Sequence, residues 1–347
     1  MLTRRAGYGK PAQRFVAVLL VWPALVTGCW SNPLNPAPPT IEPAGPAASP
    51  PVAQHPAGTV RPLAGHARAA VFDGGTRQLA VLSSPNDLTV FGSAQAEPRV
   101  IALPGPATAL TSDGRGTAYL AGRGGYLVVD LSAGRIAQVA VADAQRTDFT
   151  AVARRADGRL VLGSADGAVY ILAPDAPGGT ASVANRNKIF ARVDALAAQG
   201  NTTVVLDRGQ TSVTALGADG HAQQSLRAGE GATTLAADPL GRVLAADTRG
   251  GQLLVYGVDP LILRQAYPVR QAPYGLAGSR DLAWVSQTAS NMVIGYDLTT
   301  GIPVEKVRYP TVQQPDSLAF DEASDTLYVV SGSGAGVQII EHAAGAR

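Results

Sequence analysis

The sequence contains a single cysteine, Cys29, among 347 residues, so no disulfide can form within the chain. Aromatic residues make up 5% and charged residues 16% of the sequence, whereas glycine occurs 39 times. This composition indicates a turn-rich chain of small side chains and disfavours a helical fold. A domain of about 280 residues buries roughly three quarters of its unfolded surface, so neither disulfides nor metals are needed for its stability.

Motifs of common catalytic and metal sites are also missing from the sequence. The four histidines are not paired at the spacing of metal ligands. Residues 332–336 are rich in serine and glycine, but they lack the form of a nucleophile elbow and are interpreted as a hairpin turn. No P-loop and no Asp-x-Asp-x-Asp-Gly calcium loop occurs. The sequence therefore predicts no catalytic residue, no metal site and no cofactor.

The N-terminus has the pattern of a secretory signal peptide. An apolar stretch from Phe15 to Val26 is too short to span a bilayer as a stable helix. The basic residues before it are Arg4, Arg5, Lys10 and Arg14. The paired arginines raise the alternative of twin-arginine export, but Ala6-Gly7 fits that motif poorly, so the general secretory route is preferred.

The apolar stretch is followed by Val26-Thr27-Gly28-Cys29, which resembles the bacterial lipobox. The resemblance implies removal of residues 1–28 and acylation of Cys29, which would anchor the protein to the extracytoplasmic face of the cell membrane. The alternative is an ordinary buried or unpaired thiol. Cleavage would leave 28 − 4 = 24 basic residues against 26 acidic ones, a net charge of −2. The basic character thus belongs to the leader, and no nucleic-acid partner is predicted.

Residues 29–58 are crowded with prolines and nearly free of strand-forming residues. Such a segment favours an extended, polyproline-like conformation of about 3.1 Å per residue. We therefore predict a tether over residues 29–58 that holds the folded domain away from the lipid.

From Arg68 to His342 one pattern recurs seven times: a strand start, a Gly/Asp turn and a second alternating apolar run. The strand starts are Ala70, Ala109, Ala151, Ala195, Thr234, Gly275 and Ser317. Their spacings of 39, 42, 44, 39, 41 and 42 residues are typical of β-propeller blades with four antiparallel strands. The sequence predicts an all-β fold, a single seven-bladed β-propeller over residues 59–347.

The seventh repeat ends before a fourth strand can form, and Thr59–Leu63 is predicted to supply that strand and close the ring. Residues 174–179 are predicted to extend a loop of the third blade. Trp284, which lies in an alternating strand, is predicted to pack between blades.

Two repeats resemble known propeller repeats. Residues 235–259 resemble an NHL repeat, and residues 272–310 resemble the YVTN type, with a turn at Asn291 and a hairpin at residues 297–301. Over nearly its whole length the chain resembles the LppL-like family of conserved mycobacterial lipoproteins. That resemblance implies a location in the cell envelope, and it brings no catalytic residue.

Loops from every blade converge where the innermost strands enter a propeller's channel. One residue before each strand start the sequence has Ala69, Thr108, Thr150, Asp194, Thr233, Tyr274 and Asp316, and close to these positions it has Arg68, Asp148 and Glu230. The candidate ligand-binding residues are Arg68, Asp148, Asp194, Glu230, Tyr274 and Asp316. They would form a polar funnel for a cation, water or a polar ligand; alternatively, they cap strand ends and hydrate a narrow channel.

The preferred function is a membrane-anchored binding or scaffolding module for a protein or glycan partner in the envelope. The alternative is a metal-dependent, lactonase-like hydrolase that uses the central channel. Such an enzyme needs several carboxylates around one cation, and the predicted ring offers only Asp194 and Asp316, three blades apart.

Overall fold

The computed structural model describes residues 38–92, 96–174 and 179–345, together with Leu2. From residue 38 onwards the chain forms one compact unit. Seven sheets, each built from antiparallel strands apart from one added strand described below, are arranged in a ring, and the first strand of each sheet contacts the first strands of both neighbouring sheets. No α-helix occurs in these described ranges. The predicted seven-bladed β-propeller is confirmed.

Strand β1 (Thr59–Arg61) comes first in the chain, and each blade is then built from its innermost strand outward. Blades one to three contain β2 (Ala69–Asp73), β3 (Gln78–Ser84), β4 (Asp87–Phe91) and β5 (Arg99–Ala102); β6 (Ala107–Ser112), β7 (Thr117–Gly122), β8 (Gly125–Asp130) and β9 (Ile136–Val141); and β10 (Phe149–Arg154), β11 (Leu160–Ser164), β12 (Ala168–Leu172) and β14 (Val183–Lys188), with β13 (Thr180–Ala181) inserted before β14.

The remaining blades follow the same order. Blades four to seven contain β15 (Ala195–Gln199), β16 (Thr202–Asp207), β17 (Ser212–Leu216) and β18 (Ala222–Arg227); β19 (Ala232–Ala237), β20 (Arg242–Asp247), β21 (Gln252–Gly257) and β22 (Ile262–Pro268); β23 (Pro273–Gly278), β24 (Ala283–Gln287), β25 (Met292–Asp297) and β26 (Val304–Pro310); and β27 (Pro315–Asp321), β28 (Thr326–Ser331) and β29 (Val337–Ile340). All seven predicted strand starts lie in the first strands of their blades.

The turns between strands follow from local chemistry. Between β6 and β7, Asp113 accepts hydrogen bonds from the amides of Arg115 (2.8 Å) and Thr117 (3.0 Å) through one carboxylate oxygen. Gly114 follows with a φ of 69°, which a residue without Cβ adopts at no steric cost. An Asp-Gly pair therefore favours the predicted turn, because the aspartate carboxylate accepts hydrogen bonds from nearby backbone amides and the glycine adopts a positive φ.

Strand β1 closes the ring as the fourth strand of blade seven. It pairs antiparallel with β29, with Thr59 opposite Ile339 and Arg61 opposite Val337. The predicted closure by the N-terminal segment is confirmed. Because the first and last parts of the chain share one sheet, the outer edge of β29 is paired.

The segment predicted as a loop of blade three, residues 174–179, is followed directly by a short additional strand. Strand β13 pairs in parallel with β9, with Thr180 opposite Ala140 and Ala181 opposite Val141, so blade two has five strands. Ala181 is buried in the cluster between blades two and three. The outer edge of β9 offers unpaired backbone groups, and this insertion covers part of that edge.

The ring has two faces. The upper face carries the turns between the second and third strands of each blade and the connections from one blade to the next, and the lower face carries the other turns. Apolar clusters lie between neighbouring blades. The predicted signal peptide apart from Leu2, the predicted lipidation residue Cys29 and residues 30–37 of the predicted tether lie outside the described residues.

Candidate functional site

Three of the six predicted ligand-binding residues lie in one polar cluster at the upper end of the channel. The carboxylate of Asp194 accepts hydrogen bonds from Arg192 Nε (3.1 Å) and from the Arg208 amide (2.8 Å). The carboxylate of Asp316 accepts one from Gln314 Nε2 (2.9 Å). Tyr274, the third residue, is half-buried between them.

The charges of this cluster act across the channel mouth. Burial raises the pKa of Asp194, against the opposing charges of Arg208 and Arg192. Burial also raises the pKa of Asp316 and of Tyr274. The Arg208 guanidinium of blade four lowers the pKa of Tyr274 and the Asp316 carboxylate of blade seven raises it. Side chains of blades four, six and seven therefore form one electrostatic unit, which we call the mouth cluster.

The other three predicted residues make separate contacts and have exposed side chains. Asp148 forms an ion pair of 3.5 Å with Arg123. Glu230 uses its backbone, since its amide donates to Asp247 Oδ2 (3.1 Å). Arg68 is exposed, and its amide donates to the Leu82 carbonyl (2.9 Å).

Threonines of the predicted ring connect neighbouring blades. The hydroxyl of Thr108 in blade two donates to the Phe149 carbonyl of blade three (2.6 Å), and Thr150 donates in turn to the Val193 carbonyl (2.5 Å). These two threonines therefore fit the alternative interpretation of the ring, in which its polar residues cap strand ends.

Below the mouth the channel is lined mostly by small and aliphatic side chains, and Thr111 and Arg154 are polar residues of this lining. A cavity of about 440 Å³ is lined by small and aliphatic side chains towards the carboxyl ends of all seven first strands, among them Ala70, Leu110, Ala197, Leu235 and Ala277.

A segment of the chain lies directly on the upper face. Residues 40–57, here called the strap, contact turns of blades four to seven and then enter the groove between blades six and seven. The Ile41 amide donates to the Gly209 carbonyl of blade four (2.8 Å), and the Ala57 amide donates to the Pro310 carbonyl of blade six (3.1 Å). The tether predicted over residues 29–58 is thus bound to the propeller through its C-terminal half.

Side chains of the propeller hold the strap by its carbonyl oxygens. Six strap carbonyls each accept a hydrogen bond from a side-chain nitrogen. The donor–acceptor pairs are Arg249–Glu42 (2.7 Å), Arg208–Ala44, Gln314–Ala47 (3.0 Å), Gln313–Ser49 (3.2 Å), Asn291–Pro50 (2.8 Å) and Gln338–Ala57 (2.7 Å).

Arg208 belongs both to the mouth cluster and to the strap contacts, and sequence reasoning missed it. The local signal is Asp207-Arg208-Gly209, which returns in blade five with one insertion as Asp247-Thr248-Arg249-Gly250. Both arginines hold a strap carbonyl. In blades four and five the turn after the second strand therefore presents a guanidinium to the upper face.

Each of these turns is held in place by its buried aspartate. Asp247 is fully buried and accepts hydrogen bonds from the amides of Glu230 (3.1 Å), Gly231 (2.8 Å) and Gly250 (3.0 Å). A Cβ at Gly250 would lie 2.0 Å from Asp247 Oδ2, so glycine is required there. The carboxylate joins the entry of β19 to the turn that carries Arg249.

We expect Asp247→Ala to lower the free energy of unfolding by about 2–3 kcal/mol, because three amides lose a charged acceptor inside the protein. For a domain of this size that corresponds to a fall in melting temperature of about 5–10 °C. Asp247→Asn is the matched control, since it retains one acceptor oxygen and should lose less. Thermal unfolding monitored by circular dichroism measures both, and equal melting temperatures for all three proteins would contradict this role.

The site presents hydrogen-bond donors to an extended backbone. Both carboxylate oxygens of Asp194 already accept hydrogen bonds. Among the residues that the structure describes, no group of three or more His, Cys, Asp or Glu side chains could hold a metal ion.

The described residues do not include a helix with the length and apolarity to cross a membrane.

Comparison with known proteins identifies the fold but no family. No protein-family model and no curated protein sequence matches the chain. Similar solved structures include a chain of the mitotic checkpoint complex (TM-score 0.70, 11% identity, covering 86% of this chain and 96% of that chain) and the WD40 repeats of RRP9 (0.69, 14%, 83% and 99%). The structure of streptogramin B lyase is also similar (0.65, 10%, 82% and 96%). At these identities the likeness shows the propeller fold alone.

Proposed function

We propose that this protein is a β-propeller binding module that takes its partner, an envelope protein or glycan, on the upper face. The proposal is carried by one observation. Six side-chain donors from four blades donate hydrogen bonds to backbone carbonyls of the strap, which is an extended segment. A surface that binds main chain through fixed donors is suited to recruiting a polypeptide.

The proposal includes display from the extracytoplasmic face of the cell membrane through acyl chains on Cys29, as in the LppL-like lipoproteins that the chain resembles. The lipobox-like residues 26–29 support it. Since the strap is bound from residue 40 onwards, the free tether is shorter than its prolines alone indicate. The 40 − 29 = 11 steps from Cys29 to Thr40 would reach about 34 Å at about 3.1 Å per residue.

The lactonase-like alternative has less support. A catalytic cation needs carboxylate oxygens that are free to ligate it. Asp194 has one oxygen on Arg192 and the other on the Arg208 amide, and Asp316 accepts from Gln314. These contacts give both carboxylates a structural task at the channel mouth.

Photo-crosslinking of the full chain in its native envelope tests the binding function. A photoreactive residue replaces Arg146, which is exposed on the upper face outside the strap, or Leu240, which is 54% exposed on the lower face. We expect a protein partner to be crosslinked from position 146 and not from position 240. Equal crosslinking from both positions would contradict the use of the upper face.

The same preparation tests the anchor. Cys29→Ser should move the protein from the membrane fraction to the soluble fraction and reduce crosslinking from position 146, because the two-chain anchor that keeps it at the bilayer is lost. An unchanged distribution would contradict lipidation. Stoichiometric calcium in the purified protein, with a thermal stabilisation lost in Asp194→Ala, would favour the hydrolase.

A further inference from the structure

We propose that the upper face contains a binding groove for extended, proline-rich and largely uncharged peptide, which the strap occupies in cis and which a partner segment of the same kind enters by displacing the strap. The identity of the displacing segment as a partner rests on the proposed function. The groove itself is argued from the strap contacts alone.

The hydrogen bonds of the groove match what a proline-rich chain offers. Proline has a carbonyl but no amide hydrogen, so a segment with five prolines among residues 40–57 has more acceptors than donors. The six side-chain nitrogens of the groove all donate to strap carbonyls. Proline also holds the free chain in an extended form, which reduces the entropy lost on binding.

Two positions of the strap add side-chain selectivity. Ala44 is buried, and a Cβ at Gly231 would lie 3.0 Å from the Ala44 Cβ, so only a small residue fits there. Five residues later, the Ser49 hydroxyl donates to the Thr288 carbonyl (2.5 Å) and accepts from the Gln314 amide (3.1 Å). The groove therefore selects a small residue and, five positions later, a serine.

The remaining strap contacts place few demands on side chains. Glu42, the single acidic residue of the strap, is exposed and bound through its carbonyl. The Ala47 amide donates to Thr288 Oγ1 (3.1 Å) and the Ser49 amide to Gln314 Oε1 (3.0 Å). Since main chain provides most of the contacts, other proline-rich sequences with the same two positions can occupy the groove.

A strap that belongs to the same chain competes strongly with any free peptide. Covalent linkage gives it an effective concentration of about millimolar. A free peptide is therefore expected to bind well only where the strap is weakened while the groove is intact. This requirement separates the contribution of the strap from that of the groove.

The test uses the full chain with Cys29→Ser and a fluorescein-labelled peptide of residues 40–57, with binding measured by fluorescence anisotropy. In the loosened variant Ala44→Glu with Ser49→Ala only the strap is changed. We expect this variant to bind the peptide about tenfold or more tightly than the protein with the unchanged strap does. Adding Gln314→Ala to the groove should weaken that binding by about tenfold or more. A peptide that carries both strap substitutions should not bind.

A locked strap provides the matched control. Ala47→Cys with Thr288→Cys places two thiols where the Ala47 amide and Thr288 Oγ1 are 3.1 Å apart. The pair is placed in the loosened variant, where the oxidised protein should exclude the peptide and the reduced protein should admit it, so that the locked and the free strap are compared within one protein. Equal binding by both forms, or no binding by a folded loosened variant, would overturn the groove. Either result leaves the crosslinking from position 146 as a separate test of the binding function.

Discussion

Deleting residues 59–64 is expected to lower the melting temperature by about 10 °C or more. The expected loss in the free energy of unfolding is about 5 kcal/mol, and each kcal/mol shifts the melting temperature of a domain of this size by roughly 2–4 °C. The deletion removes all of β1 and leaves the edge of β29 unpaired. It also removes Leu63, which is buried between blades seven and one with Leu79 and Val337. Truncation of one such buried side chain alone costs about 2–5 kcal/mol.

The matched control keeps the strand and changes only its exposed side chains. Thr59→Ala with Val60→Ala leaves the backbone pairing with Ile339 and Gln338 available, and both side chains are exposed. This variant should differ from the natural protein by less than about 1 kcal/mol. Differential scanning calorimetry compares the three proteins. A deletion variant with an unchanged midpoint would mean that blade seven is stable with three strands.

Trp284→Ala is expected to lower the free energy of unfolding by about 3–5 kcal/mol, the usual cost of emptying a large aromatic site. Trp284 is fully buried in blade six and stacks on Phe320 of blade seven, with ring centroids 5.8 Å apart. A Cβ at Gly295 would lie 3.0 Å from its Cζ3 atom, so the indole fills its site closely. The prediction that this side chain packs between blades is confirmed.

Trp284→Phe is the informative control for this site. Among the described residues, Trp284 Nε1 is buried without a hydrogen-bond partner. Phenylalanine removes that unsatisfied donor and retains most of the stacking surface, so its cost should be well below that of alanine. Urea unfolding followed by circular dichroism compares both variants with the natural protein. An alanine variant as stable as the phenylalanine variant would show that the ring contributes little to the seam between blades six and seven.

The blades were predictable because their signals are local. Alternating apolar residues and Asp-Gly turns such as Asp113-Gly114 act within a few residues, and a repeat near forty residues returns seven times. The added strand β13 was not predictable, because its pairing depends on an open edge formed by residues 136–141 of the preceding blade.

The candidate site was predictable only in part. Alignment of repeats placed Asp194, Tyr274 and Asp316 at equivalent ends of first strands, and the structure brings these residues together. Arg208 lies one residue after the end of β16, and its side chain could have pointed to solvent. Its contact with Ala44, 164 positions earlier, follows from the ring that brings blade four beneath the strap.

By itself, the sequence determined the all-β class, the number of blades, the closing strand and the extended conformation of the proline-rich segment, because each depends on short-range sterics or on repetition. Only the tertiary structure decided where that segment lies. Its contacts join residues up to 281 positions apart, as between Ala57 and Gln338. A proline-rich chain is extended whether it is free or bound, and only the folded ring brings six donors within reach of its carbonyls.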